Sequence, residues 1–339
     1  MKRMTRFVVA VFVTLVACGS AGAAEIGHYN GGLANIRDYF VPDPGFYGIV
    51  YNYIYTTDRT NDPDGHKIHS VTINPRGGPG VTFDVKVDVD MYALVPALIW
   101  ISDWKPLGFK YGAFIAPTFA NASIQAQLNT VRGRGGKAKE STFDVGDLYV
   151  QPIWLGRTSD HWDFALAYGF YAPTGRYDTK RFTLPGGGGV EVESPKNIGL
   201  GFWTQQFQGA AAWYPWKNKA TAVTSVLTYE NHQDKKDFRL EPGDDLTLNW
   251  GISQYLPLTK DQKLLVEIGP AGYDTWQITD DAGRDASNNV HDQVHGVGGQ
   301  LGLTYVPWVL ALNFHGFAEF YSQDRFQGDA FGVNLAKKF

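Results

Sequence analysis

Cysteine is nearly missing: Cys18 is the only one in 339 residues, so neither an internal disulfide nor a thiolate metal cluster can hold this chain together. An excess of basic residues is missing too. The formal charge is −4, without the cationic footprint of a nucleic-acid partner. After residue 24 no stretch approaches the ~20 uncharged apolar residues of a membrane helix, so the chain does not cross a bilayer by helices. "LPGGGGVEV", from Leu184, is not followed by the Lys-Ser/Thr of a phosphate loop and reads as a flexible loop. No GxSxG occurs.

What is present begins with an export signal. Lys2, Arg3 and Arg6 precede the apolar run Phe7–Ala17, and the small residues "GSAGAA" follow, which marks residues 1–24 as a signal peptide. "AGA" and "GAA" suit ordinary cleavage near Ala23 or Ala24, the favoured reading. "LVAC", Leu15–Cys18, fits lipoprotein processing instead, which would leave Cys18 as a lipidated N-terminus. Ordinary cleavage reduces 30 Lys+Arg to 27 against 34 Asp+Glu, a formal charge of −7.

The mature chain is rich in aromatics and glycine, with 39 Gly, 18 Tyr, 21 Phe and 10 Trp, yet its mean hydropathy is only −0.24. That combination fits strands that are apolar on one side. The stretch "VTFDVKVDVDMYALVPALIWI", Val81–Ile101, alternates almost without a slip. Period two predicts a strand, and about twenty residues exceed the ~10 needed to span a thin membrane. The expected orientation turns Val85, Val87 and Val89 to lipid and Asp84, Lys86, Asp88, Asp90, Tyr92 and Trp100 to the lumen.

Similar segments recur at Phe46–Thr57, Leu107–Leu128, Phe143–Leu155, Trp162–Ala172, Ile198–Tyr214, Ala220–Asn231, Leu246–Leu256, Leu264–Ile278, Val294–Tyr305, Val309–Tyr321 and Ala330–Phe339. With the first they number about twelve, and short turns alternate with long polar loops, the pattern of an all-β antiparallel transmembrane barrel of the bacterial outer membrane. Short turns belong on the periplasmic side and long loops outside. Trp104, Trp162, Trp216 and Trp308 fall at or beside the short turns, as a headgroup-level aromatic girdle requires. Phe331, Val333, Leu335 and terminal Phe339 share one face of the last segment, like the signal read by the barrel-assembly machinery, although Lys337 interrupts it. The expected partners are therefore outer-membrane lipid and lipopolysaccharide, that machinery through Phe339, and a small hydrophobic solute.

Three parts follow: residues 1–24 as signal, 25–45 as an N-terminal segment, and 46–339 as the barrel. The segment 25–45 is Gly/Pro-rich without strand alternation, hence a disordered lead-in or a lumenal plug, for which Arg37 and Asp38 would suit a polar interior. Continuing the inside/outside assignment gives Asp147, Tyr149, Gln151, Asp163, Tyr171, Glu267, Tyr273, His315, Glu319 and Tyr321 as further lumen residues. They could line a permeation path, or merely close a narrow barrel with hydrogen bonds. His66/His69 and His291/His295 lack the helical context that metal pairs at such spacings need, so no metal or other cofactor is expected. Twelve-stranded outer-membrane phospholipases carry a Ser-His pair, but His315 has Phe317 where that pattern places serine, and no enzyme is expected.

At "DLYVQPIWLGRTSDHWDFALAYGFYAPTGRYD", "NIGLGFWTQQFQGAAAWYPW", "LTLNWGISQYLPL" and "GQLGLTYVPW", the chain resembles the outer-membrane transporter family named for the meta-pathway of phenol degradation. The likeness runs from about Tyr29 to Phe339. It implies passive passage of hydrophobic or aromatic small molecules and brings no catalytic residues. The alternatives from the residues themselves are a general diffusion pore for polar solutes and a structural or adhesive barrel acting through its loops.

Overall fold

A computed structural model describes residues 26–73, 81–130, 135–183, 189–194, 196–286 and 290–339. Residues 1–24, expected as the signal, and Cys18 with them lie outside the described residues. Among those described, no helix is long and apolar enough to cross a membrane. The strands are β1 (Gly45–Thr57), β2 (Ser70–Ile73), β3 (Val81–Ser102), β4 (Lys110–Ala116), β5 (Phe119–Thr130), β6 (Gly135–Val145), β7 (Leu148–Thr158), β8 (Trp162–Ala172), β9 (Thr179–Thr183) and β10 (Gly189–Glu193). They continue with β11 (Thr204–Trp213), β12 (Thr221–His232), β13 (Asp245–Pro257), β14 (Leu264–Gln277), β15 (Gln293–Tyr305), β16 (Leu310–Gln323) and β17 (Asp329–Lys338).

All barrel pairings are antiparallel, and β1 closes the circle by pairing with both β17 and β3. β4 with β5, and β6 with β7, each form one interrupted stave, so the closed wall has 12 strands. The expected segments Leu107–Leu128 and Phe143–Leu155 are thus each split. Proline explains the first split: pairing lapses between Leu94↔Phe119 and Leu98↔Ile115, an interval in which Pro96 falls opposite Pro117. Neither imide has an N–H to give to a ladder. At the same level the next seam breaks between Phe119↔Val145 and Ala116↔Tyr149, where Gly146 donates its N–H to Thr118 O at 2.8 Å. β9 and β10 form a separate hairpin within one long loop.

Which face of β3 meets lipid is the reverse of the sequence expectation. Val87, Val89, Ala93, Val95, Ala97, Ile99 and Ile101 are buried inside the barrel, whereas Leu98 (53 % exposed) and Trp100 (41 %) look outward. Asp84, Lys86, Asp88, Asp90 and Tyr92 share that outer face. The charges escape lipid by height. Tyr92 pairs with Ile54, and Ile54 with Phe331, the last apolar row; the next row is Asp90, Thr56 and Asp329. There Thr56 donates to Asp90 at 2.9 Å and Gln125 to Asp88 at 3.1 Å. The inner face is apolar because it packs on chain rather than water: Tyr39 and Val41 join Val95, Ala97, Ile99 and Ile101 in one cluster, with Leu33 and Ala34 against it.

Those partners belong to residues 26–44, which run through the lumen without regular secondary structure. Backbone polar groups there need partners, and wall side chains provide them. The Glu230 carboxylate accepts from Tyr29 N–H (2.9 Å), Asn249 Oδ1 from Gly32 N–H (3.1 Å), and Gln300 Oε1 from Ile36 N–H (2.8 Å). Asn334 Nδ2 donates to Leu33 O at 3.2 Å, and Trp154 Nε1 to Tyr39 O at 3.3 Å. The segment starts at the long-loop end, beside Thr204, and descends to the short-turn end, where Arg37 donates to the carbonyls of Lys219 and Ala220.

Candidate functional site

Between the lumenal segment and the wall of β1, β3, β4, β5, β7, β8 and β11 lies a cavity of about 270 Å³. Segment residues Leu33, Ala34 and Tyr39 form one side; Met91, Ala93, Val95, Ile99, Ala116 and Ala120 form the other. The last of these flank the interval of Pro96 and Pro117, so the cavity abuts the lapse in the ladder. Six tyrosines, Tyr29, Tyr39, Tyr51, Tyr53, Tyr149 and Tyr171, with Phe114 and Trp154, make the lining aromatic.

These rings are held by position and hydrogen bonding together. Inward parity on β1 aligns Tyr51 and Tyr53, whose hydroxyls donate to Asp38 Oδ2 (3.3 Å) and Asn30 Oδ1 (3.2 Å) of the segment. Tyr149 packs tilted on Tyr171 with centroids 4.6 Å apart and edge-on to Phe114 at 5.6 Å. Its hydroxyl donates to Gln151 Oε1 and accepts from Gln206 Nε2, both at 2.8 Å. Gln206 also borders the cavity, and its buried Oε1 has no hydrogen-bond partner. With tyrosine hydroxyls turned to each other, to amides and to the Asp38 carboxylate, the space presents mainly ring faces and alkyl groups, with a free acceptor at Gln206.

The segment is anchored below the cavity by Arg37. Its Nε–H donates to Ser253 Oγ at 2.8 Å while the same nitrogen lies 2.8 Å from Glu267 Oε1, so the pairing with Glu267 is Coulombic rather than a hydrogen bond. The guanidinium also sits 4.2 Å from the centre of the Tyr255 ring. Asp38 accepts from both the backbone and side-chain N–H of Asn35.

Of the residues expected in the lumen, Asp147, Tyr149, Gln151, Asp163, Tyr171, Glu267, Tyr273, His315 and Glu319 face inward. They do not form one site. Tyr149, Gln151 and Tyr171 line the cavity. Asp163 takes Tyr214 and Lys219 at the short-turn end, and Glu319 accepts from Tyr55 and Tyr273. His315 points inward beside Phe317, with both ring nitrogens unpartnered, away from the outer wall. Asp84, Lys86, Asp88, Asp90, Tyr92, Trp100 and Tyr321 face outward instead. For β3 the reason is the apolar lumenal segment; for Tyr321 it is the bulge at His295/Gly296, which turns Tyr321 toward His295, 5.8 Å between ring centres. His291 and His295 pair with separate carboxylates, Asp280 and Asp274.

Sequence reasoning missed the cavity's other half: Tyr39, Tyr51, Tyr53, Phe114, Trp154 and Gln206. For Tyr39, in the lumenal segment, no periodicity pointed to it; for the others the signal was present as strand parity, but it could be read only once the outer face was fixed.

A family model described as MetA-pathway of phenol degradation matches residues 57–335. The chain belongs to that family. Among solved structures, the chain is similar to the COG4313 outer membrane channel from Pseudomonas putida F1, with a TM-score of 0.61 at 14 % identity over 90 % of this chain and 100 % of that one. It is more loosely similar to the β-domain of the Bordetella autotransporter BrkA, with a TM-score of 0.45 at 11 % identity over 87 % of this chain and 100 % of that one. A search of curated proteins finds no match. The closed wall and the likeness to the Pseudomonas putida channel agree on an outer-membrane β-barrel, and at 14 % identity that likeness speaks for the fold alone.

Proposed function

We propose that the protein is a passive outer-membrane channel for small hydrophobic, ring-bearing solutes, which pause in the lumenal cavity on their way through. The observation that carries this reading is the aromatic cavity itself. An apolar cavity of about 150 Å³ suffices to hold benzene, and this one measures about 270 Å³. Apolar sites with a few placed polar groups are what small hydrophobic ligands occupy. The Pro96/Pro117 interval beside the cavity supports an exit sideways into lipid, because no backbone bond there must break to let a solute by. The lumenal segment weighs against a general diffusion pore, since it occupies the path that water and sugars would need.

Liposomes carrying the refolded mature protein test this directly. Toluene should enter faster than through empty liposomes while glucose does not, and filling the cavity with Ala116→Trp should abolish the gain. Faster glucose entry would establish a diffusion pore instead. Entry of neither would leave a structural or adhesive barrel.

A further inference from the structure

Above the cavity, five buried side chains form a continuous chain of hydrogen bonds that ties the lumenal segment to the wall. His28 Nε2 lies 2.9 Å from Asp147 Oδ2, and His28 Nδ1 lies 2.7 Å from Thr204 Oγ1. The same Thr204 oxygen lies 2.7 Å from His232 Nδ1, and His232 Nε2 lies 3.2 Å from Asp245 Oδ2. Only His28 belongs to the segment; Asp147 stands at the β6–β7 junction and the others on β11, β12 and β13.

Proton counting restricts this arrangement. Each Nε2 faces a carboxylate oxygen, so each carries a hydrogen, and the charge of each ring is decided at Nδ1. Both Nδ1 atoms address one hydroxyl, which has one hydrogen to give. If both rings were neutral, Thr204 could satisfy one Nδ1 lone pair and the other would be buried facing an oxygen with nothing between. A second proton removes the conflict: one imidazolium donates from Nδ1 to Thr204 Oγ1, and the hydroxyl donates onward to the other ring.

We propose that this Asp147–His28–Thr204–His232–Asp245 chain is a proton-dependent latch, holding one imidazolium at neutral pH and releasing the outer end of the lumenal segment when that proton is lost.

The surroundings favour holding the proton. Asp147 is fixed as a carboxylate by N–H bonds from Gly175 and Leu200, both 2.8 Å. Glu230 lies beside the chain on β12, taking the Tyr29 N–H, and Asp245 Oδ1 has no partner. Phe202 stands edge-on to both rings, 5.0 Å from His28 and 5.1 Å from His232, and Tyr171 stacks on His28 at 4.7 Å. The other nearby charges are mutually engaged: Lys235 pairs with Glu193, Arg325 with Asp292 at 3.2 Å, and Asp244 accepts from Tyr229 and Asn231. Deprotonation would leave Asp147 and Asp245 beside two neutral rings with one hydroxyl hydrogen between them, and when Thr204 gives that hydrogen to His232 the bond from His28 of the segment to the wall is lost.

The test uses the refolded mature protein labelled with ¹⁵N-histidine, the two rings being assigned with His28→Asn and His232→Asn. Near neutral pH one of the two should show imidazolium shifts, lost in a single step as the pH is raised. Ion conductance in planar bilayers should rise in the same step by about fivefold or more, the equivalent of one buried hydrogen bond. Thr204→Val, which removes the shared hydroxyl, should abolish the step in conductance. Two neutral rings at neutral pH, or a conductance unchanged across the step, would overturn the proposal. Once the two rings are assigned, their shifts are read on the unaltered protein, so they decide even where Thr204→Val fails to refold, and they are independent of which solute the cavity takes.

Discussion

Arg37 and Gln206 carry opposite kinds of consequence. Arg37 neutralises Glu267, which is only 4 % exposed, and removing one member of a buried pair strands the other charge at a cost of about 3–5 kcal/mol. Arg37→Ala should therefore lower the temperature at which the folded band is lost in SDS gels. Arg37→Ala with Glu267→Gln should recover most of that loss, because the stranded charge goes with it. Gln206 holds the Tyr149 hydroxyl through its Nε2 and leaves an acceptor at the cavity edge. A solute with a hydroxyl can supply the missing donor, worth about tenfold in occupancy. Phenol should accordingly bind more tightly than toluene by intrinsic fluorescence quenching, and Gln206→Leu should erase the difference.

At the scale of the strand, much could be read in advance. Trp162–Ala172 coincides with β8, and Phe46–Thr57 misses β1 by one residue, because period-two alternation and turn residues are local properties of the chain. The split of Leu107–Leu128 was encoded in Pro117 but needed Pro96, from another strand, to become a break in the wall. The facing of β3 was not legible. Alternation defines two faces and is silent on which meets lipid; the answer depended on Tyr39 and Val41, some fifty residues away, filling the lumen with apolar surface. Charge on the outer face of β3 then costs nothing because it rises clear of the bilayer. Three substitutions test the outer and inner faces. Leu227→Arg, on the outward face of mid-β12 at 47 % exposure, should lower assembly yield through a penalty of about 2–4 kcal/mol near the midplane. Asp88→Asn should leave yield unchanged, whereas Val87→Arg, which would bury a cation in the apolar interior, should not.

For the whole molecule, the lumenal segment separates a closed wall from an open tube. The lumen's amides and carboxylates, among them Asn249, Gln300 and Asn334, were legible as polar but not as partners of a particular backbone, since nothing local in β13, β15 or β17 refers to residues 32–36. Deleting residues 26–44 should keep the barrel, whose ladder bonds run strand to strand, and should raise single-channel conductance well above that of the full chain in planar bilayers. The candidate site would go with the segment, because Leu33, Ala34 and Tyr39 form one side of it.

Asn334, on β17, holds both Leu33 O and Asn35 Oδ1, contacts that span roughly three hundred residues of chain. Such a contact cannot exist until nearly the whole chain has been laid down, so the segment has no finished berth while the wall is still being built. Non-local contacts of this kind slow folding. Closure and docking become a single late event: a barrel sealed too early would shut the segment out, and one sealed on time has its stopper built in.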